Sequence, residues 1–344
     1  MQKIARVRRG NTMAIHTQRW LMASLLMALS ANGQATSTRA LGMGGAFVAQ
    51  ANDVSGIPIN PAGMASLSER GVFEFALEGN QILRYNNSAE TPETENMELT
   101  YLGAMLSAFD TGLGLYWSQD AKTSPLSVHN TTDMAQRGVL GMGAGKGFYD
   151  GTIKLGATID WPAYTLESQN HTSSSAGGYT IGTIIQLADR ASLSAHSGLQ
   201  YSLSAGVTQQ SDIEDDRILN RAESLRYGVS MALSGLFGNQ VSRLTLNGEV
   251  EQTDIDIYRN IEDLKTYKLG AEWTFFSIGN EHLQYTLRSG IRQFDEQDLS
   301  NALSFGAGLN WKSHTIEVAG WQEPSEDFDD YLVGLSYTFS MEKD

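Results

Sequence analysis

Apolar residues recur at every second position along most of this chain. From Ile153 to Trp161, "IKLGATIDW" sets Ile, Leu, Ala, Ile and Trp against Lys, Gly, Thr and Asp. "YKLGAEWTF" (267–275), "LSFGAGLNW" (303–311), "LRYGVSMAL" (225–233), "LQYTLRSGI" (283–291) and "YLVGLSYTF" (331–339) repeat the pattern. Successive side chains of a strand point to opposite faces, so each segment has one apolar face and one polar or small face. Fourteen such segments run over 70–85, 97–109, 111–121, 137–149, 151–165, 175–188, 191–206, 223–237, 241–253, 263–278, 281–294, 302–312, 315–322 and 330–341.

The connections alternate in length. Short turns read "FDTG" (109–112), "FYDG" (148–151), "ADRA" (188–191), "FGNQ" (237–240), "IGNE" (278–281) and "KSHT" (312–315). Long ones include "QQSDIEDDRILNRAE", "TDIDIYRNIED" and "QEPSEDFDD", the last carrying Glu323, Glu326, Asp327, Asp329 and Asp330. Amphipathic strands of about ten residues with short and long connections in alternation define a transmembrane β-barrel. The expected fold is all-β, a 14-stranded antiparallel barrel over 70–341. An even strand number puts both termini on one side, the periplasmic side of a Gram-negative outer membrane. The alternative is a secreted β-sandwich with its apolar face inward. Three features favour the barrel. The polar face carries Lys154, Asp160, Glu249, Glu251, Lys268, Glu272, Arg288, Arg292 and Lys312, which suit a wet lumen. Trp117, Trp161, Trp321 and Trp311 sit at strand ends, where interfacial belts place Trp. The last strand ends on Tyr337 and Phe339. The lumen-facing candidates are Lys154, Asp160, Lys268, Glu272, Arg288 and Arg292.

Residues 1–35 hold five basic and no acidic side chains, then the largely apolar "WLMASLLMAL" and the small-residue "SANGQA". This reads as a secretory signal peptide, with Met13 a second candidate start. Without it, 19 basic residues face 39 acidic ones, a poor balance for nucleic acid, whose phosphates would repel the chain. There is no Cys, hence no disulfide framework. No run of 18 apolar residues offers a transmembrane helix.

A 14-stranded barrel is too wide for its own wall to fill. The only segment free to fill it is 36–69, with "RALGMGGAFVAQANDVSGIPINPAGMAS" (39–66) at its heart. Its "GMGG" lacks the G-x-G-x-x-G spacing of a dinucleotide loop, and "GMGAGKG" (141–147) lacks the first Gly and the Ser or Thr of a phosphate loop. His129, His171, His196, His282 and His314 show no metal-ligand spacing. No nucleophile, base and orienter assemble. We expect no enzyme, cofactor or metal.

The Gly/Ala-rich start, the patch Ala51-Asn52-Asp53-Val54-Ser55 and the run Asn60-Pro61-Ala62-Gly63 resemble the N-terminal pattern of the FadL-like superfamily of outer-membrane barrels. That group includes FadL/TodX-type transporters of hydrophobic compounds and PorV/PorQ-type proteins of type IX secretion. The resemblance implies that 36–69 form a hatch in the lumen, with Gly42, Gly44, Gly45, Asp53, Asn60, Pro61, Ala62 and Gly63 as its packing or gating residues. Pro61 biases Asn60 toward extended geometry, a rigid kink. Two main functions remain open. One is uptake of hydrophobic small molecules, fatty-acid-like or aromatic, with Ile213, Ile218, Leu219, Ile255, Ile257, Tyr258 and Ile261 as apolar loop candidates. The other is a barrel whose loops hold secretion-system subunits. A general porin would need an open lumen. Outer-membrane lipid and lipopolysaccharide are the expected surroundings of a monomeric barrel.

Overall fold

The computed structural model describes residues 37–65, 71–86, 93–94, 97–119, 136–165, 177–192, 199–215, 218–221, 223–235, 242–257, 260–277, 280–295, 301–323 and 328–342. The expected signal peptide (1–35) and the remainder of the 36–69 and loop readings lie outside these residues.

Among the described residues, fourteen long strands form one sheet. They are β1 (Val72–Asn86), β2 (Glu98–Ala108), β3 (Thr111–Gln119), β4 (Gln136–Phe148), β5 (Ile153–Thr165), β6 (Gly178–Ser192) and β7 (Gln200–Gln210). Then come β8 (Glu223–Ser234), β9 (Arg243–Ile257), β10 (Asn260–Ser277), β11 (Asn280–Phe294), β12 (Ala302–Trp311), β13 (His314–Glu323) and β14 (Phe328–Glu342). Each pairs antiparallel with its sequence neighbour, and β14 pairs antiparallel with β1, from Val72–Glu342 to Asn86–Phe328. The sheet is therefore a closed 14-stranded antiparallel barrel with no free edge. Two residues, Glu93–Thr94, add a short pairing to β1, and Ile213–Asp215 pairs with Ile218–Arg221 as a separate hairpin.

The outward face is apolar. Leu106, Leu113, Met142, Ile159, Ile181, Val229, Leu269, Phe305 and Ile316 are all more than half exposed. Such a continuous belt of bare hydrocarbon is stable only against lipid. The inward face alternates with it and buries Glu78, Asp160, Arg226, Glu249, Lys268, Glu272, Arg288 and Glu317. No helix of the described residues is long and apolar enough to cross a membrane.

One end of the barrel is made by tight turns. Phe109 and Asp110, between the paired Ala108 and Thr111, have φ of 51° and 56°. Positive φ at both central residues matches the right-handed twist of the strands that such a turn joins. Strands β1 and β14 begin and end beside these turns. This is called the turn end below, and the opposite rim the loop end.

The structure moves two expected boundaries. "ADRA" does not reverse the chain, since β6 runs on to Ser192. Its pairing with β7 slips between Gln186 and Ala188 and again between Ala188 and Ala191. Arg190 takes φ 46° and its N–H donates to Ser202 Oγ, whose hydroxyl donates to Asp189 at 3.1 Å. The turn-forming dipeptide is satisfied as a bulge inside the ladder. Likewise "TDIDIYRNIED" is no long loop: β9 and β10 stay paired up to Ile257–Asn260. Its alternating Ile and polar residues continue the strand pattern beyond the apolar belt.

Candidate functional site

Residues 37–65 fold into a short helix α1 (Thr38–Gly42) and two 3-10 turns, Val54–Gly56 and Pro61–Ala65. Nearly all are buried. A segment with so few helical bonds needs partners for its backbone N–H groups, and carboxylates of the wall supply them. Glu78 accepts from the N–H and hydroxyl of Thr38 at 2.6 and 2.9 Å. Glu249 accepts from the N–H groups of Phe47 and Val48, both at 2.9 Å. Glu74 accepts from Val54 N–H at 3.0 Å. The Glu249 pair, whose carboxylate is also bound to Lys268, is charge-assisted, the stronger kind.

Arg39 completes the attachment. Its guanidinium donates twice to Glu272 at 2.8 Å, to Asp53 at 2.9 Å and to Asn52 at 3.0 Å. Burial by itself lowers the Arg39 pKa, but the charges of Glu272 and Asp53 outweigh it and raise the pKa above the ordinary arginine value. Glu272 also accepts from Arg288 at 2.7 Å, and Arg288 donates to Glu317 at 2.6 Å. Beside this chain, Lys268 bridges Glu249 at 3.0 Å and Glu251 at 2.7 Å, and Arg226 donates to Glu251. The wall charges thus form two networks, each reaching the segment through a glutamate.

The second half is held by geometry as much as by charge. Asp53 caps the first 3-10 turn, accepting from Gly56 N–H and Ser55 hydroxyl at 2.9 Å. Asn60 is fully buried; its amide donates to Val48 O at 2.8 Å and Thr183 O at 3.2 Å, and its Oδ1 accepts from Ala62 N–H. Pro61 opens the second 3-10 turn, a position where its missing N–H costs nothing. Asn-Pro-Ala is thus a capped turn start. The barrel wall makes room for it: a Cβ on Gly156 would strike Pro61, one on Gly182 would strike Asn60 Oδ1, and one on Gly145 would lie 2.8 Å from Ala65 N. Gly145 belongs to "GMGAGKG", whose glycines therefore serve packing. Gly44 sits at φ +67° against the backbone of Ile291. Gly42 and Gly45 lie on Arg288 and Lys268, and Ala62 is fully buried.

The two sides of the segment differ in chemistry. Toward the loop end, Val54, Ile57 and Met64 join Tyr101, Met105, Tyr116, Val139 and Ile213 in one buried cluster. The Tyr101 and Tyr116 rings stack at 6.3 Å; their hydroxyls donate to Val54 O at 2.7 Å and Asp160 at 2.9 Å. Ile213 comes from the loop hairpin and is 1 % exposed. Gln210 at its base donates to Pro58 O at 2.6 Å. Toward the turn end the lining turns polar. A cavity of about 550 Å³ is lined by residues that include Arg39, Asp53, Arg243, Glu272 and Asn310. A second, of about 390 Å³, is lined by residues that include Asp110, Lys154, Asp189, Arg190 and Arg243.

Lys268, Glu272 and Arg288 therefore meet in the networks. Asp160 accepts the hydroxyls of Tyr116 and Thr180, and Lys154 lines the smaller cavity. Arg292 stacks on Trp321 at 3.8 Å. That contact corrects the belt reading of Trp321, which is 5 % exposed and points inward, because it falls on the inward parity of β13. Trp161 and Trp311 are exposed, as a belt requires. Lys312 is a turn residue with φ 56°, exposed and near the Trp311 ring, outside the lumen. His314 faces outward and bonds Tyr337; His129, His171 and His196 lie outside the described residues, as does Tyr258. Among the described residues no His, Asp and Glu cluster could hold a metal. Sequence reasoning passed over Arg39, Glu74 and Glu78. Arg39 had one signal: between Ser37 and Ala65 it and Asp53 are the sole charges, opposite in sign.

A closed barrel of this strand count, with inward charges and an apolar belt, has the fold of FadL-type outer-membrane channels. Solved structures with this fold include the Ralstonia pickettii toluene transporter TbuX, at 13 % identity and TM-score 0.53, covering 92 % of this chain and 100 % of that one. The P. putida toluene transporter TodX matches at 13 % identity and TM-score 0.52, over 91 % and 100 %. A Pseudomonas aeruginosa FadL homologue matches at 11 % identity and TM-score 0.51, over 88 % and 98 %. No family model and no curated protein matches the sequence.

Proposed function

We propose that this protein is an outer-membrane channel that takes up hydrophobic small molecules. In this reading residues 37–65 are its hatch, its turn end faces the periplasm, and it is no enzyme. The observation that carries the reading is the apolar cluster of Val54, Ile57, Met64, Tyr101, Tyr116, Val139 and Ile213 on the loop side of that segment. A ligand that prefers hydrocarbon would meet matching chemistry there, under the hairpin that carries Ile213. The shared fold with TbuX and TodX, both toluene transporters, supports the same class of cargo. Ile213 is the loop candidate that the cluster includes. A porin reading is disfavoured by the burial of residues 37–65 against the inward faces of the strands.

The test is accumulation of labelled toluene and labelled oleate by Gram-negative cells that lack their own channel of this type. Expression of the full chain is expected to speed uptake of at least one. Uptake no faster than with empty vector, for both compounds, overturns the reading.

A further inference from the structure

The two turn-end cavities share Gln50, Asn52 and Arg243. Arg243 opens β9 and lies on the inward parity of that strand, with Thr245 and Asn247. Three other inward cations of the wall are held by carboxylates: Arg288 by Glu272 and Glu317, Lys268 by Glu249 and Glu251, Arg226 by Glu251. Among the described residues no carboxylate lies in ion-pair or hydrogen-bond reach of Arg243. Of the acids that line the larger cavity, Glu272 pairs with Arg39 and Arg288, Asp53 with Arg39, Glu317 with Arg288, and Glu74 accepts from Val54 N–H; Asp110, Asp150 and Asp189 line the smaller cavity opposite the three cations Lys154, Arg190 and Arg243. Asn52 gives its Oδ1 to Arg39, which leaves its amide N–H groups to be offered to the cavity. The exposed Arg243 guanidinium, with no carboxylate in ion-pair reach among the described residues, lies beside the Asn52 amide and lines recesses of several hundred Å³, and its planar fork matches the two-oxygen geometry of a carboxylate.

We propose that Arg243 is the anchor of a carboxylate-binding site at the junction of the two turn-end cavities, flanked by Asn52 and Gln50. The carboxylate has two sources, the head of an amphiphilic acid or a small organic acid free in the turn-side compartment. The site stands independently of the uptake reading, because it is defined by the cavity and not by passage through the barrel.

The full chain in nanodiscs is titrated by calorimetry with laurate, with dodecanol as its uncharged counterpart, and with succinate. At least one of the two acids is expected to bind, and Arg243→Gln is expected to weaken it about tenfold or more, the loss of one charge-assisted pair. Arg243→Lys recovers part of that loss, and dodecanol is unaffected. Binding of laurate alone assigns the site to an amphiphile head; binding of succinate alone, or of both, assigns it to carboxylates at large. Acid binding that is absent, or equal in wild type and Arg243→Gln, overturns the proposal. So does an equal fall in dodecanol binding, which marks a collapsed cavity. Retained heat-modifiable migration of each variant on gels shows that the barrel is folded.

Discussion

Single wall carboxylates decide whether residues 37–65 stay in place. Glu249 is the clearest case, because one oxygen receives both Phe47 and Val48 N–H groups and the other pairs with Lys268. Glu249→Ala orphans two buried donors and strips Lys268 of one of its two anions. Breaking a buried ion pair and its hydrogen bonds costs about 3–5 kcal/mol. We expect the loss to be local: hydrogen exchange at the Phe47 and Val48 amides accelerates by orders of magnitude while the amides of β3 to β5 keep their protection. Unchanged protection at Phe47 and Val48 would refute the clamp. Glycine offers a sharper contrast. A Cβ on Gly63 would overlap Ala51 O, whereas a Cβ on Gly71 meets nothing within 4 Å. Gly63→Ala should therefore destabilise the segment by about 1–3 kcal/mol and Gly71→Ala by less than about 0.5 kcal/mol. Proteolysis within 37–65 in the folded barrel reads the difference. None of this was legible beforehand for Glu74, Glu78 or Glu249 as partners of particular amides. Alternation tells that a side chain faces inward, but not which of the inward residues, distant in sequence, meets it.

Strands were the most legible elements, because a period of two leaves the same trace wherever one face meets lipid. Their ends were less so. Asp189-Arg190 carries the residue types of a turn and became a bulge, since Ser202 across the ladder satisfies it. Trp321 shows the same limit: an aromatic near a strand end reads as a belt residue until parity turns it inward onto Arg292. The hairpin from Ile213 to Arg221 is an element that the polar loop sequence concealed. Its attachment rests on Ile213 among Val54, Ile57 and Tyr101, and on Gln210 with Pro58. Ile213→Ala removes most of a fully buried side chain, a loss of about 2–5 kcal/mol in well-packed sites. For so small a hairpin that exceeds its own pairing. We expect added protease to cut the Ile213–Arg221 hairpin much faster in Ile213→Ala, with the barrel itself intact. Equal cutting rates would detach the hairpin from any role as cover for the apolar cluster.

At the scale of the whole molecule, two solvents are separated by one strand thickness. Outside, Leu269 is 61 % exposed on the belt; next to it in sequence, Lys268 is 2 % exposed and carries charge inward. Placing Arg at 269 should cost about 2–4 kcal/mol of folding into vesicles, as cations at mid-membrane do on barrel surfaces. Urea titration of folding into phospholipid vesicles measures that cost. Inside, the charges are tolerated because they pair with one another and with residues 37–65. Removing that segment takes away Arg39 and Asp53 together, so the net charge of the lumen does not change. Glu272 keeps Arg288 and Glu249 keeps Lys268, so both networks close without it. The strand ladder also closes without it, through β1 and β14. A deletion of 37–65 is therefore expected to yield a folded barrel whose lumen fills with water. In planar bilayers the intact chain should show little steady conductance and the deletion a large one. Selectivity should be weak, because Glu249, Lys268, Glu272 and Arg288 line the opened path with both signs. A large conductance from the intact chain would mean that water already passes residues 37–65, and the protein would then be read as a pore and no longer as a gated channel.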